Sequence, residues 1–148
     1  MYPSAFRYHR AGSLREAVSL LFELGEDARA LAGGQSLIPL MKLRLARPAA
    51  LVDLNFISGI SHIRKDGNGI SVGALARHAE IHASEIAGTI HILHDCAAGI
   101  ADAQVRNRGT IGGSLAEADP SGDWAPALLT LSTEVRCMGP KGERTIPL

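Results

Sequence analysis

The apolar positions along the chain change period several times, and each change predicts an element. From Ser13 onward Leu14, Val18, Leu21 and Phe22 fall on one helical face, and Gly25 supplies a stop. Ser13 and Glu16 have the spacing of a capping box, each able to satisfy a backbone N–H of the first turn. "ARALAGG" reads as a short buried strand running into a glycine pair. "SLIPLMKLRL" predicts a helical turn or two, kept short by Pro39. "ALVDL" predicts a second strand. "SHIRKDGNGISVGAL" alternates on both sides of Asp66-Gly67-Asn68-Gly69, the pattern of a hairpin.

Beyond it a helical region runs from about His78 to Ala103, broken near Ser84 and Gly88. "QVRNRGTIGGSL" reads as extended and glycine-rich, "GDWAPALLTLS" as a helix with Asp123 near its start. "EVRCMGPKGERTIPL" reads as a hairpin turning at Gly139-Pro140-Lys141-Gly142. Short strands alternating with helices predict a mixed α+β fold.

Composition narrows the function. The 148 residues suit one ordinary domain, and 15 Lys plus Arg against 15 Asp plus Glu leave no net charge. That balance gives no support to a nucleic-acid or membrane-surface partner. No apolar run approaches the roughly 20 residues that span a bilayer, and the N-terminus lacks the apolar segment of a secretory signal. A cytoplasmic protein is the default expectation. Cys96 and Cys137 stand far apart, form no C-x-x-C pair, and read as inert thiols; an iron–sulfur or zinc site within this chain is not expected.

Two similar stretches could carry chemistry, Ala32-Gly33-Gly34-Gln35-Ser36 and Thr110-Ile111-Gly112-Gly113-Ser114. A phosphate needs several backbone N–H groups aimed at one place with no side chain in the way. Glycine provides both, a following Ser adds a hydroxyl, and a helix start adds partial positive charge. Each stretch is equally readable as a tight turn. There is no G-x-x-x-x-G-K-[ST], and Gly67-Asn68-Gly69 with Gly73 precedes a strand rather than opening a helix, so neither a P-loop nor a Rossmann fingerprint is present.

The stretches "LAGGQSLIPLMKLRLARP", "QVRNRGTIGGSLAEADPSGDWAPALLTL" and "GPKGERTIPL" resemble the FAD-binding (medium) subunit of molybdenum hydroxylases, the group of bacterial carbon monoxide dehydrogenase and the xanthine dehydrogenases. The likeness runs along the whole chain and is most specific at the two double-glycine stretches and the R-N-x-G-T-I-G-G approach to the second. It implies a vanillyl-alcohol-oxidase-type (PCMH-type) FAD-binding fold of two small α/β subdomains with FAD between them. The N-terminal subdomain is expected over 1–54 and a larger, incomplete one over 55–148, with the family's C-terminal domain absent.

The resemblance further implies FAD pyrophosphate contacts at Ala32, Gly33, Gly34, Gln35 and Ser36 and at Thr110, Ile111, Gly112, Gly113 and Ser114. Asp123 matches an acidic position at the cofactor's sugar or ribityl region. Asp119 is more ambiguous, since "ADP" also reads as a turn, and Glu117 receives no role. The implied work is electron relay, from the iron–sulfur clusters of a small partner subunit through FAD to an acceptor. A molybdopterin-bearing large subunit oxidises the substrate, so no catalytic acid or base and no metal ligand is expected here.

The alternative is a truncated remnant without flavin that serves only as a subunit-interaction module; a generic nucleotide-binding protein is a third reading. His78 with His82, and His91 with His94, have helical spacing but no third ligand. Arg106 and Arg108 could face a phosphate, a partner or solvent. Trp124 reads as a packing anchor in preference to a flavin-stacking ring.

Overall fold

The structure, a computed structural model, describes residues 2–148. The chain forms two compact units, one from the stretch up to Ser58 together with Glu134–Pro147 and one from Gly59–Thr133. The first unit therefore runs a little past residue 54 and takes in the C-terminal hairpin, which the sequence reading had placed in 55–148.

The first unit is built on a parallel sheet. β1 (Arg7–Arg10) and β2 (Ala28–Leu31) flank β3 (Ala50–Asp53), with Arg7 and Ala28 both opposite Ala50. All four β3 residues are buried, as expected of a central parallel strand. β2 is an edge strand, buried at Ala28 but exposed at Arg29 and Ala30, so the expectation of a buried strand holds only at its start. β1, "RYHR", carries no apolar alternation and was not foreseen; its place comes from backbone pairing with β3.

α1 (Leu14–Leu24) joins β1 to β2 and packs on β2 and β3. Its capping box forms: Ser13 Oγ accepts from the Glu16 N–H at 3.1 Å, and Glu16 Oε2 accepts from the Gly12 N–H at 2.8 Å. Gly25, at φ 71°, ends the helix and donates to Leu21 O. Ala17 is the buried position, whereas Phe22 is 72% exposed, so the apolar stripe lies rotated from the face read off the sequence. α2 (Leu37–Lys42) follows β2. The hairpin of β6 (Glu134–Gly139) and β7 (Gly142–Pro147) turns at Pro140-Lys141 as expected, with β6 against α1.

The second unit opens with the hairpin of β4 (Ile63–Asp66) and β5 (Gly69–Val72). Gly67 takes φ 57° while Asn68 stays at negative φ, the pattern of a type II′ turn. Three helices follow, α3 (His78–Ala83), α4 (Glu85–Gly88) and α5 (His91–Gly99). Ser84 ends α3 and caps α4 by accepting from the Ala87 N–H.

Residues 104–115 are mostly helical, with Thr110 extended and bridged to Arg77. Asp102 caps α6 (Ala103–Arg106) and Thr110 caps α7 (Ile111–Glu117), so two side-chain caps convert the expected extended segment into short helices. α8 (Trp124–Leu129) completes the unit. Ala76, Ile81, Ala87, Leu93, Ala97, Ile111, Trp124 and Leu128 form its core, with Ile63, Ile70 and Val72 of the hairpin against them.

Trp124 is fully buried and its Nε1–H donates to His78 Nδ1 at 3.1 Å, so it anchors packing as read. The acceptor role requires an unprotonated Nδ1. Burial, reinforced by the Arg77 charge and partly offset by Asp123, lowers the His78 pKa below 6.5.

Two outcomes follow from this packing. Ser13→Ala should lower unfolding free energy by about 1 kcal/mol in urea titration, because the Glu16 N–H loses its acceptor. Since the folded form disfavours protonated His78, its contribution is complete above pH 6.5 and is lost as pH falls below that value. His78→Gln should therefore flatten the stability profile below pH 6.5 in urea titrations; an unchanged slope would refute the linkage.

Candidate functional site

The first glycine pair lies where β2 leaves the sheet. The amides of Ala32, Gly33, Gly34, Gln35, Ser36 and Leu37 find no acceptor among the described residues. Their peptide carbonyls are nonetheless tied. Leu31 O accepts from the Leu54 N–H at 3.0 Å, Ala32 O from Asn55 Nδ2 at 2.9 Å and Gly33 O from Gln35 Nε2 at 3.2 Å. Gly34 O accepts from the Ile38 N–H at 3.0 Å and Ser36 O from the Leu40 N–H at 3.2 Å. The helical partner of Gln35 O would be residue 39, a proline with no N–H.

A trans peptide is planar, with C=O and N–H pointing in opposite directions, so holding a carbonyl aims the next amide the other way. Five of these six amides are aimed in this manner. The turn can take an acceptor that comes from outside the chain.

Gly34 has two reasons to be glycine. Its φ is 72°, and a Cβ there would stand 2.7 Å from Ile38 Cδ1. A string of open amides without intervening side chains fits a phosphate or pyrophosphate.

Behind the turn lies a network that the sequence reading missed. Tyr8 donates its hydroxyl to Asp53 Oδ2 at 2.5 Å. Asp53 Oδ1 accepts both the Asn55 N–H at 2.9 Å and Asn55 Nδ2 at 2.6 Å. Burial by itself would raise the Asp53 pKa; the hydrogen bonds from Tyr8 and Asn55, with the nearby Arg10 charge, outweigh it and leave the carboxyl lowered. The D-x-N spacing of Asp53 and Asn55 is an Asx-turn signal and was the available clue.

The second glycine pair is used differently. Ile111 N–H donates to Ala76 O at 3.1 Å, Gly112 to Ala74 O at 2.9 Å, Gly113 to Thr110 Oγ1 at 3.1 Å and Ser114 to Thr110 O at 3.0 Å. Neighbouring groups consume all four amides, so the expected anion nest does not form here. Gly112 is a packing glycine: a Cβ would meet Ala74 Cβ at 2.6 Å and its carbonyl oxygen at 2.7 Å. Gly109 likewise has no room beside the His78 ring. What this stretch still offers is the half-buried Ser114 hydroxyl.

Asp123 is exposed at the start of α8, and its carboxylate caps no helix amide. It lines an open groove of about 410 Å³ with Ile92, Asp95, Cys96, Pro126 and Thr130. Burial, with Asp123 nearby, pushes the Cys96 thiol up to about 11, which keeps it protonated and inert. Arg106 donates to Ile100 O and Ala101 O, while Arg108 accepts through its carbonyl from Arg77. His82 stacks on His94 rather than pairing with His78, and no cluster of three metal-ligating side chains occurs among the described residues. No described helix is long and apolar enough to cross a membrane.

Comparison with known proteins shows the family. Residues 4–148 match the family described as the FAD binding domain in molybdopterin dehydrogenase. The alpha subunit of the 6-hydroxypseudooxynicotine dehydrogenase complex of Paenarthrobacter nicotinovorans is 47% identical over 100% of this chain and 50% of its own. The carbon monoxide dehydrogenase medium chain of Afipia carboxidovorans is 44% identical over 99% of this chain and 51% of its own. A solved carbon monoxide dehydrogenase of Hydrogenophaga pseudoflava, lacking the Mo-pyranopterin moiety, superposes with TM-score 0.97 and 43% identity, over 99% of this chain and 52% of that one. The chain spans about half the length of the curated relatives it matches.

The two glycine pairs should respond differently to a methyl group. Gly112→Ala meets the Ala74 backbone, which cannot swing aside, and should cost about 1–3 kcal/mol of stability. Gly34→Ala meets the mobile end of Ile38 and should cost about 1–2 kcal/mol through its positive φ. Urea titration of both variants decides the matter; a Gly112→Ala midpoint equal to that of the parent would remove the packing role.

Proposed function

The chain belongs to the family of FAD binding domains in molybdopterin dehydrogenases, and on that premise we propose that it is the FAD-binding, electron-transferring part of a molybdenum-containing hydroxylase. The single observation that carries the reading is the run of open amides from Ala32 to Leu37. These donors, with the Ser36 hydroxyl, would hold the FAD pyrophosphate; Gln35 contributes its amide, while its side chain is engaged with Gly33 O. Bound FAD supplies the redox chemistry between a donor and an electron acceptor. The chain's own residues bind and orient it, and none acts as a catalytic acid or base.

Thr110, Ile111, Gly112, Gly113, Ser114 and Asp123 are proposed as cofactor contacts in a changed role. With the backbone donors spent, Ser114 would donate its hydroxyl and Asp123 would accept from sugar or ribityl hydroxyls. Ser114→Ala and Asp123→Ala test them separately from the first turn.

The natural partners are an iron–sulfur subunit and a molybdopterin subunit. Leu43 and Leu45, 62% and 74% exposed after α2, are the kind of apolar surface that a subunit interface covers. A cytoplasmic setting fits two cysteines that are both free thiols.

The decisive measurement is flavin binding by fluorescence quenching. FAD should bind at least about a hundredfold more tightly than FMN, which lacks the pyrophosphate bridge and the adenosine, and ADP should compete. Equal affinities for FAD and FMN would sink the reading.

A further inference from the structure

The turn that presents the open amides does not hold its own shape at its first glycine. The Ala32 carbonyl is held from outside the turn by Asn55 Nδ2 at 2.9 Å, and Asn55 is itself held by Asp53 through two bonds to Oδ1. The other carboxylate oxygen of Asp53 is occupied by the Tyr8 hydroxyl at 2.5 Å. Tyr8 comes from β1 and Asp53 ends β3, while Ala32 follows β2, so the relay crosses the parallel sheet from one edge to the other. The last backbone rung between β2 and the segment after β3 is Leu54 N–H to Leu31 O at 3.0 Å. Beyond that rung, the side chain of Asn55 continues the ladder by one step.

We propose that Asn55 is a positioning residue for the anion-binding turn, its bond to the Ala32 carbonyl aiming the Gly33 N–H outward, and that Tyr8 acts through Asp53 to hold Asn55 in place. The planar peptide makes the coupling direct. If Ala32 O is released, the peptide between Ala32 and Gly33 is free to rotate, and Gly33 N–H leaves the row of donors. Asn55 need not touch the ligand. Its effect is larger for ligands that carry a pyrophosphate, which engages more of the row, than for those with a single phosphate.

This inference rests on the FAD reading, and the experiment separates the two. With the full 148-residue chain, dissociation constants for FAD and FMN are measured for the parent, Asn55→Ala, Tyr8→Phe and the double variant. Asn55→Ala should weaken FAD about tenfold, the loss of one well-aimed hydrogen bond to a charged group, and weaken FMN by a smaller factor. Tyr8→Phe, a change at a half-exposed ring, should weaken FAD by a smaller factor. The double variant should be no weaker than Asn55→Ala alone, because Tyr8 acts only through Asn55.

A second readout needs no flavin. Titration with inorganic pyrophosphate should move the Gly33 amide resonance in the parent and leave it nearly still in Asn55→Ala. A parent without FAD preference would defeat the FAD reading, and this one with it. A parent that prefers FAD together with an Asn55→Ala variant of undiminished preference, equal losses for FAD and FMN, or additive losses in the double variant would each overturn the positioning role alone.

Discussion

The geometry of the candidate site depends on the rigidity of the peptide unit. A carbonyl and the amide that follows it share a plane and point in opposite directions, so a hydrogen bond to one fixes the other. Between Leu31 and Leu37 the carbonyls are bonded by Leu54, Asn55, Gln35, Ile38 and Leu40. The result is a row of donors whose direction is set before any ligand arrives. Such pre-organisation matters for affinity, because ordering a flexible loop at the moment of binding would consume part of the interaction energy.

Two pairs of adjacent glycines follow nearly the same local sequence yet serve opposite ends. At Gly33-Gly34 the missing side chains leave amides open. At Gly112 the missing side chain allows α7 to approach the backbone of Ala74 closely enough for a hydrogen bond that uses its amide up, while the Gly113 amide is taken by Thr110 Oγ1. The difference arises from what stands opposite. β2 is an edge strand whose chain departs from the sheet, whereas the start of α7 runs against the segment 74–76. Glycine permits a close approach but does not specify to what.

Two buried polar side chains, Asp53 in the first unit and His78 in the second, are satisfied by specific partners, and their protonation follows. Asp53 accepts three hydrogen bonds, which overcome the tendency of burial to protonate it. His78 accepts one from Trp124 and is kept neutral by burial. Each is a local electrostatic choice that fixes a side chain, Asn55 in the first case and the indole in the second, on which neighbouring backbone depends.

Elements governed by short-range physics were legible in the sequence. The Ser13 capping box, the Gly25 stop, the hairpins at Gly67-Asn68 and Pro140-Lys141 and the break at Ser84 each depend on residues within four positions of one another. The family likeness and the FAD-binding character were legible too, because the glycine-rich stretches carry them as strings of letters. Strand β1, the exposed side of β2, the outward turn of Phe22 and the consumption of the Ile111 and Gly112 amides were not. Each is decided by a partner far away in the chain: β3 for the strands, the sheet for α1, Ala74 and Ala76 for the second glycine pair. So too is the relay from Tyr8 to Ala32, which joins three strands. Sequence alone determined where the chain turns and which residues could bind an anion. Tertiary structure decided which amides remain free to do so, because an amide is open only if folding has brought no carbonyl to meet it.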